Sequence, residues 1–268
     1  MFIRWAVFYI LLLLPLQLFS ADDTNETDSN ETTFSIAPIV TYLLSENKEL
    51  GRIMPLGDSI TWDWYYGDNR SDSKRHAYRN HLWNKLKDHY YHMDFVGSRH
   101  NGDAVSPSFD GDNEGRTGWR AYQIRDNIYS WLKKNPADTV LLHVGTNDSV
   151  SVSPETAVYH VDQILDEIAK FGKDRSMKIK VILAKIIKFP QEASWVSSFN
   201  KQLGDMAQDH KDAGEEIIVV DMEKGAGLDY SKDLIDGIHP TNCGYEKMAN
   251  VWYQALTGKT APALTSCH

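Results

Sequence analysis

Cysteine is scarce in this sequence, with two among 268 residues, too few for a disulfide-built scaffold or a structural zinc site. Positive charge is scarce as well. Lys plus Arg number 28 against 37 Asp plus Glu, a formal net charge of −9. That balance makes the chain a poor nucleic-acid binder, which would need a strong basic patch. Beyond the first residues there is no run apolar enough to cross a bilayer, which takes about 20 residues. What is present excludes global disorder: 42% hydrophobic against 24% charged residues suffices for a full-sized core in one large domain.

Arg4 precedes an apolar run from Trp5 to Leu14, then come Pro15 and the small residues Ser20 and Ala21. That order is the pattern of a secretory signal peptide over residues 1–20, cut after Ser20, with an uncleaved anchor as the alternative. The mature chain is therefore expected to be secreted and extracellular, without stable membrane association. Residues 21–50 hold Asp22, Asp23, Glu26, Asp28, Glu31, Glu46 and Glu49 against Lys48 alone, and are expected to form an acidic, disordered leader. The sequons at Asn25 and Asn30 lie in that leader, a third begins at Asn69, and a fourth begins at Asn147. Glycans are expected on Asn25, Asn30 and Asn69. An exported chain meets an oxidising compartment, so Cys243 and Cys267 are expected to pair.

From residue 51 to 268 the pattern is that of one domain with alternating strands and helices. Arg52 to Leu56, Met93 to Gly97, Thr139 to Val144, Lys180 to Ile187 and Ile217 to Asp221 read as strands. Thr139 to Val144 is continuously apolar, as in a strand covered on both faces. Between the strands, Arg75 to Tyr91, Ala121 to Lys134, a stretch opening at Pro154, Ala193 to His210 and Tyr245 to Leu256 read as helices. The fold class is α/β: a three-layer α/β/α sandwich around a five-stranded parallel, flavodoxin-like sheet. Loops at the carboxyl ends of such strands converge on one crevice, which is where chemistry belongs.

Four of those loops carry reactive or donor groups. Gly57-Asp58-Ser59-Ile60-Thr61 places a serine on a strand-to-helix turn, Glu114-Gly115-Arg116-Thr117-Gly118-Trp119 offers flexible backbone N–H groups, and Gly145-Thr146-Asn147-Asp148 offers a carboxamide. Asp236-Gly237-Ile238-His239-Pro240 sets a carboxylate within reach of an imidazole. Each has an ordinary explanation alone: Ser59 as a helix N-cap, the Gly-Asn pair as a turn, the glycine loop as a helix entry, His239 as a surface residue. His143, inside a strand, reads as a packed core residue. Together the four supply nucleophile, oxyanion donors, orienter and base, the full set for acyl transfer.

These blocks resemble the SGNH (GDSL-like) hydrolase superfamily, over about Arg52 to Leu256. Ile53-Met54-Pro55-Leu56 before the serine block, Tyr78-Arg79 and Phe95-Val96-Gly97-Ser98 add a likeness to the carbohydrate esterase family three acetylxylan esterases. The chain departs from that group at Arg116 and Asp63, where members often carry His and Gly. The resemblance implies Ser59 as nucleophile, His239 as base, Asp236 as orienter, and an oxyanion hole from the N–H groups of Ser59 and Gly115 with the Asn147 side chain. It implies no metal or organic cofactor. Trp62, Trp64, Tyr65, Tyr66 and Trp119 flank the blocks, either as sugar-stacking rings or as packing. The expected partner is an acylated carbohydrate; a lipid-directed esterase and an inactive sugar-binding module are the alternatives.

Overall fold

Alternation of side chains along apolar strands sets the architecture. The computed structural model describes residues 48–267. The elements are β1 (Lys48–Gly57), α1 (Ser59–Trp62), α2 (Ala77–Asp88), β2 (Tyr91–Phe95), β3 (Arg99–His100), β4 (Asp112–Gly115) and α3 (Ala121–Lys134). They continue with β5 (Thr139–His143), α4 (Pro154–Arg175), β6 (Lys180–Lys185), α5 (Ala193–Asp212), β7 (Ile217–Asp221) and α6 (Asn242–Thr257). The parallel core runs β2-β1-β5-β6-β7, the expected flavodoxin-like strand order.

Successive side chains of a strand point to opposite faces, and here each face has its own core. Met54, Leu56, Val140, Leu142, Val181 and Leu183 pack under α3, α4 and α5. Ile53, Leu141, Ile182 and Ala184 pack under α2 and α6, where Trp252 is fully buried. Truncating such a ring costs about 3–5 kcal/mol. Helix starts follow local chemistry: Ser153 caps α4 by accepting the Thr156 N–H, with Pro154 at the first position, and Thr241 caps α6 by accepting the Gly244 N–H.

Three local features differ from the sequence expectation. β1 begins at Lys48, so Lys48 to Leu50, expected in the leader, are strand: Lys48 and Glu49 pair with Tyr91 and His92, and Leu50 bulges out before Gly51 pairs with Met93. β2 lies at Tyr91–Phe95, displaced towards the N-terminus from the expected Met93 to Gly97. β3 and β4 were not expected at all. β4 pairs with only the last two residues of β1, through Leu56↔Glu114 and Gly57↔Gly115, and β3 runs antiparallel to β4. The signal peptide, residues 21–47 of the leader, Asn25 and Asn30 lie outside the described residues. Among the described residues no helix is long and apolar enough to cross a membrane.

Candidate active site

The turn after β1 is built by close approach. A Cβ at Gly57 would lie 2.3 Å from the His143 carbonyl oxygen and 2.5 Å from Thr61 Oγ1, so only glycine fits. Asp58 then caps α1, its Oδ1 accepting the Ile60 N–H at 2.9 Å. This settles the role of Ser59, which is the first residue of the helix and not its cap. Its hydroxyl is released for other work, and its N–H is one of the unpaired donors of a helix start. Arg79, fully buried, clamps the turn from beneath. It donates to the Thr61 carbonyl at 3.0 Å, the Gly111 carbonyl at 3.1 Å and Asn101 Oδ1 at 2.7 Å.

Ser59 Oγ lies 2.9 Å from His239 Nε2, across 180 positions of sequence. His239 Nδ1 lies 2.8 Å from Asp236 Oδ2, while Asp236 Oδ1 accepts the backbone N–H groups of Ile238 at 3.0 Å and His239 at 2.8 Å. One carboxylate therefore shapes the loop and orients the ring. Burial alone would raise the Asp236 carboxyl, but the His239 backbone N–H and imidazole hold it below the usual carboxylate range. Gly237, at φ +83°, makes the reversal that lets the loop close. Two other histidines also touch carboxylates, His100 with Asp112 at 2.6 Å and His210 with Asp162 at 2.7 Å. Of these three contacts, only that of His239 continues to a serine hydroxyl. His143 is fully buried in β5, as expected, and burial pushes its imidazole below the usual range, keeping it neutral.

Asn147 stands at the same edge, in a single 3-10 turn over Thr146–Asp148. Its Nδ2 donates to the Trp119 carbonyl at 2.9 Å; a carboxamide has a second N–H to give. Asp148 braces this turn by accepting the Ala121 N–H at 3.0 Å, at the start of α3. Burial, opposed by that N–H and reinforced by Asp58, raises the Asp148 carboxyl to about 6.

Gly115, expected as an oxyanion donor, has a side-chain partner for its N–H in this structure. Its N–H is taken by Asn113 Oδ1 at 2.8 Å, and Asn113 Nδ2 donates in turn to Asn101 Oδ1 at 3.0 Å. Glycine is needed there for space, because a Cβ would meet the Trp62 backbone nitrogen at 2.7 Å. A second glycine of this loop, Gly118, lies at φ +77°, with open space where a Cβ would stand. Its N–H has no hydrogen-bond acceptor among the described residues. It directly precedes Trp119, whose carbonyl meets Asn147. The signal for it was the glycine itself, between a polar loop and a tryptophan.

The aromatic residues divide. Trp62 is a core residue, 5% exposed with the Arg99 guanidinium stacked over its ring at 3.9 Å, so it is withdrawn from the substrate-facing set. Trp119 is half-buried, packed on Trp131 at 5.7 Å with Arg116 beside both. Trp64 is half-buried. Tyr65 approaches the catalytic imidazole candidate, 6.5 Å between ring centroids, and Tyr66 is 90% exposed. Tyr65 lines a small cavity of about 230 Å³ with Asp63, Arg70, Ile235 and Pro240. Neither this cavity nor the larger ones along α5 and between α4 and β6 is lined by Ser59 or His239.

Asn69 is exposed, whereas Asn147 is half-buried with its amide engaged. Cys243 and Cys267 are disulfide-bonded, with Cα atoms 4.8 Å apart, and this ties the C-terminal tail to the start of α6. One group among the described residues, His100, Asp110 and Asp112, has ligand atoms within 4.8 Å of one another. Those atoms already serve each other and the backbone of Phe95 and Asp112.

A family model described as GDSL-like lipase/acylhydrolase matches residues 53–252. The chain is 26% identical over 255 residues to a multidomain esterase of Ruminococcus flavefaciens, covering 85% of this chain and 31% of that protein. It thus spans about a third of that relative's length. Among solved structures, a carbohydrate esterase family 3 protein from Talaromyces cellulolyticus superposes with a TM-score of 0.65 at 25% identity, over 77% of this chain and 96% of that one. A family 3 carbohydrate esterase from Clostridium thermocellum gives a TM-score of 0.63 at 29% identity, over 76% and 93%.

Proposed function

The chain belongs to the GDSL-like lipase/acylhydrolase family and is a carboxylic ester hydrolase close to carbohydrate esterases, and from that premise we propose that it is a secreted esterase removing acetyl groups from carbohydrate. The observation that carries the mechanism is the unbroken contact from Ser59 Oγ through His239 to Asp236. In this reading Ser59 Oγ attacks the ester carbonyl carbon while His239 Nε2 takes its proton, and Asp236 fixes the ring and stabilises the imidazolium. The tetrahedral oxyanion is held by the Ser59 N–H, the second Nδ2 proton of Asn147 and the Gly118 N–H, each worth about 10²- to 10³-fold in turnover. His239 returns its proton to the leaving alcohol, and water, deprotonated by the same imidazole, releases acetate from the acyl-enzyme.

The acyl and sugar assignments have separate support. The acyl assignment is supported by the likeness to family 3 carbohydrate esterases. Tyr65 and Tyr66 are offered as sugar-stacking rings, with Trp64 and Trp119 at the margin. Hydrolysis of p-nitrophenyl esters from acetate to octanoate tests the acyl assignment. Activity should fall beyond acetate, and a maximum at octanoate would move the protein to lipid-directed chemistry. Secretion predicts a mature N-terminus at Ala21, read by N-terminal sequencing; an intact Met1 on exported protein would contradict it.

A further inference from the structure

Beyond Asn147 the active-site edge continues onto the first turns of α3 and α4. Tyr122 follows Ala121, whose N–H is held by Asp148, and stands three positions after Trp119, which accepts from Asn147. Tyr159 and His160 stand early in α4, and the loop that joins Asn147 to that helix leaves Val150 75% exposed. Tyr122 and Tyr159 are also open to solvent, 37% and 57% exposed. The His160 ring lies between them, 5.9 Å from each. The row is made by the packing of two helices, since Tyr122 and Tyr159 are far apart in sequence. Burial, with Arg125 acting in the same direction, holds the His160 imidazole below the usual histidine range, so the middle ring is uncharged at neutral pH. Polar groups flank the rings: Gln163 Nε2 donates to the Tyr159 hydroxyl at 3.1 Å, and Arg125 Nη1 donates to Gln163 Oε1 at 2.8 Å.

We infer that Tyr122, His160 and Tyr159 form a docking platform for a polysaccharide main chain, engaging sugars beyond the one whose ester meets Ser59. A pyranose offers an apolar C–H face and a rim of hydroxyls. An exposed ring edged by hydroxyl, carboxamide and guanidinium groups is complementary to both. A second copy of this chain is a weaker occupant, because interface cores are depleted of charge and this row is bordered by Arg125 and Asp126, the latter exposed. The platform is continuous with the Asn147 side of the site, as a chain running through the site requires. It rests on the carbohydrate reading above and adds to it a polymer preference.

The test separates polymer from small ester. Acetate release from acetylated xylan, acetylated glucomannan and acetylated pectin is measured beside hydrolysis of p-nitrophenyl acetate, for wild type, Tyr122→Ala, Tyr159→Ala and the double variant. Each Ala substitution should raise the polymer KM about three- to tenfold, the value of one aromatic contact, with kcat and p-nitrophenyl acetate hydrolysis little changed. Tyr122→Phe and Tyr159→Phe, which keep the rings, should raise KM less than the Ala variants and guard against misfolding. Affinity electrophoresis through gels holding each polymer, on the Ser59→Ala background, reads binding without turnover. An unchanged polymer KM in the double variant overturns the platform. So does a wild-type dimer that these substitutions split with no effect on KM, or p-nitrophenyl acetate turnover with no retardation by any polymer. Failure to release acetate from any carbohydrate ester instead overturns the carbohydrate reading itself.

Discussion

Replacing Asp236 distinguishes charge from hydrogen-bond direction at His239. Its Oδ1 accepts two backbone N–H groups, those of Ile238 and His239, while Oδ2 faces His239 Nδ1 at 2.8 Å. In Asp236→Asn the amide oxygen stays with the two backbone donors, because a flipped NH₂ group cannot accept from either of them. The Nδ2 group is then presented to His239 Nδ1. That forces Nδ1 to accept, moves the ring proton to Nε2, and leaves no lone pair to receive the Ser59 proton. A reversed tautomer of this kind costs about 10⁴-fold in kcat. In Asp236→Ala the charge-assisted bond is lost, about 1.5–3 kcal/mol, or roughly 10- to 150-fold, but water satisfies Nδ1 and the productive tautomer survives. The side chain is 32% exposed, so water has access. Asp236→Asn should therefore be the slower enzyme, by about tenfold or more in kcat/KM on p-nitrophenyl acetate, with thermal melts showing that both fold. An Asn variant faster than the Ala variant would refute the reasoning, because charge-stabilisation alone gives no such order.

Gly115→Ala should lower the melting temperature together with activity, since its Cβ meets backbone at 2.7 Å; loss of activity with unchanged melting would return the donor role to Gly115. Asn147→Ala should lower kcat by about 10²- to 10³-fold, and deglycosylation in heavy-oxygen water should tag Asn25, Asn30 and Asn69 but not Asn147, whose tagging in active enzyme would exclude it as a donor. Burial would raise the Glu246 carboxyl, but Ser266, Lys85 and the Thr265 backbone hold it down to about 2. A depressed folded value means stability that is full above about 4.5 and lost as pH falls towards 2. Denaturant titrations from pH 7 to pH 2 should show wild type losing more stability than Glu246→Gln; parallel losses would remove Glu246 from the account.

What the sequence disclosed follows from how local the cause was. Ala121 to Lys134 and Ile217 to Asp221 keep a clear period or apolar run, and both elements have the expected bounds. Asp112 to Gly115 is polar and short, and it is strand because Leu56 and Gly57 pair with Glu114 and Gly115 while β3 pairs with Asp112 and Asn113. No window of sequence contains that cause. A side chain explains Gly115: a glycine loop looks like a set of free N–H groups until Asn113, two positions upstream, claims one. Trp62 looked available beside the serine, yet the helix turn sends it inward beneath Arg99. Ser59, Asp236 and His239 lie in hydrogen-bond contact because strand-end loops converge, and Asn147 stands on another such loop.

The central claim is that Ser59 and His239 drive ester cleavage on acetylated carbohydrate. Acetate released from acetylated xylan, glucomannan and pectin, by wild type and by Ser59→Ala at equal concentration, tests it most directly. The account predicts release from at least one polymer by wild type and a loss of about 10³-fold or more in Ser59→Ala, with the variant's melting temperature unchanged. Wild-type rates in a folded Ser59→Ala protein would contradict it.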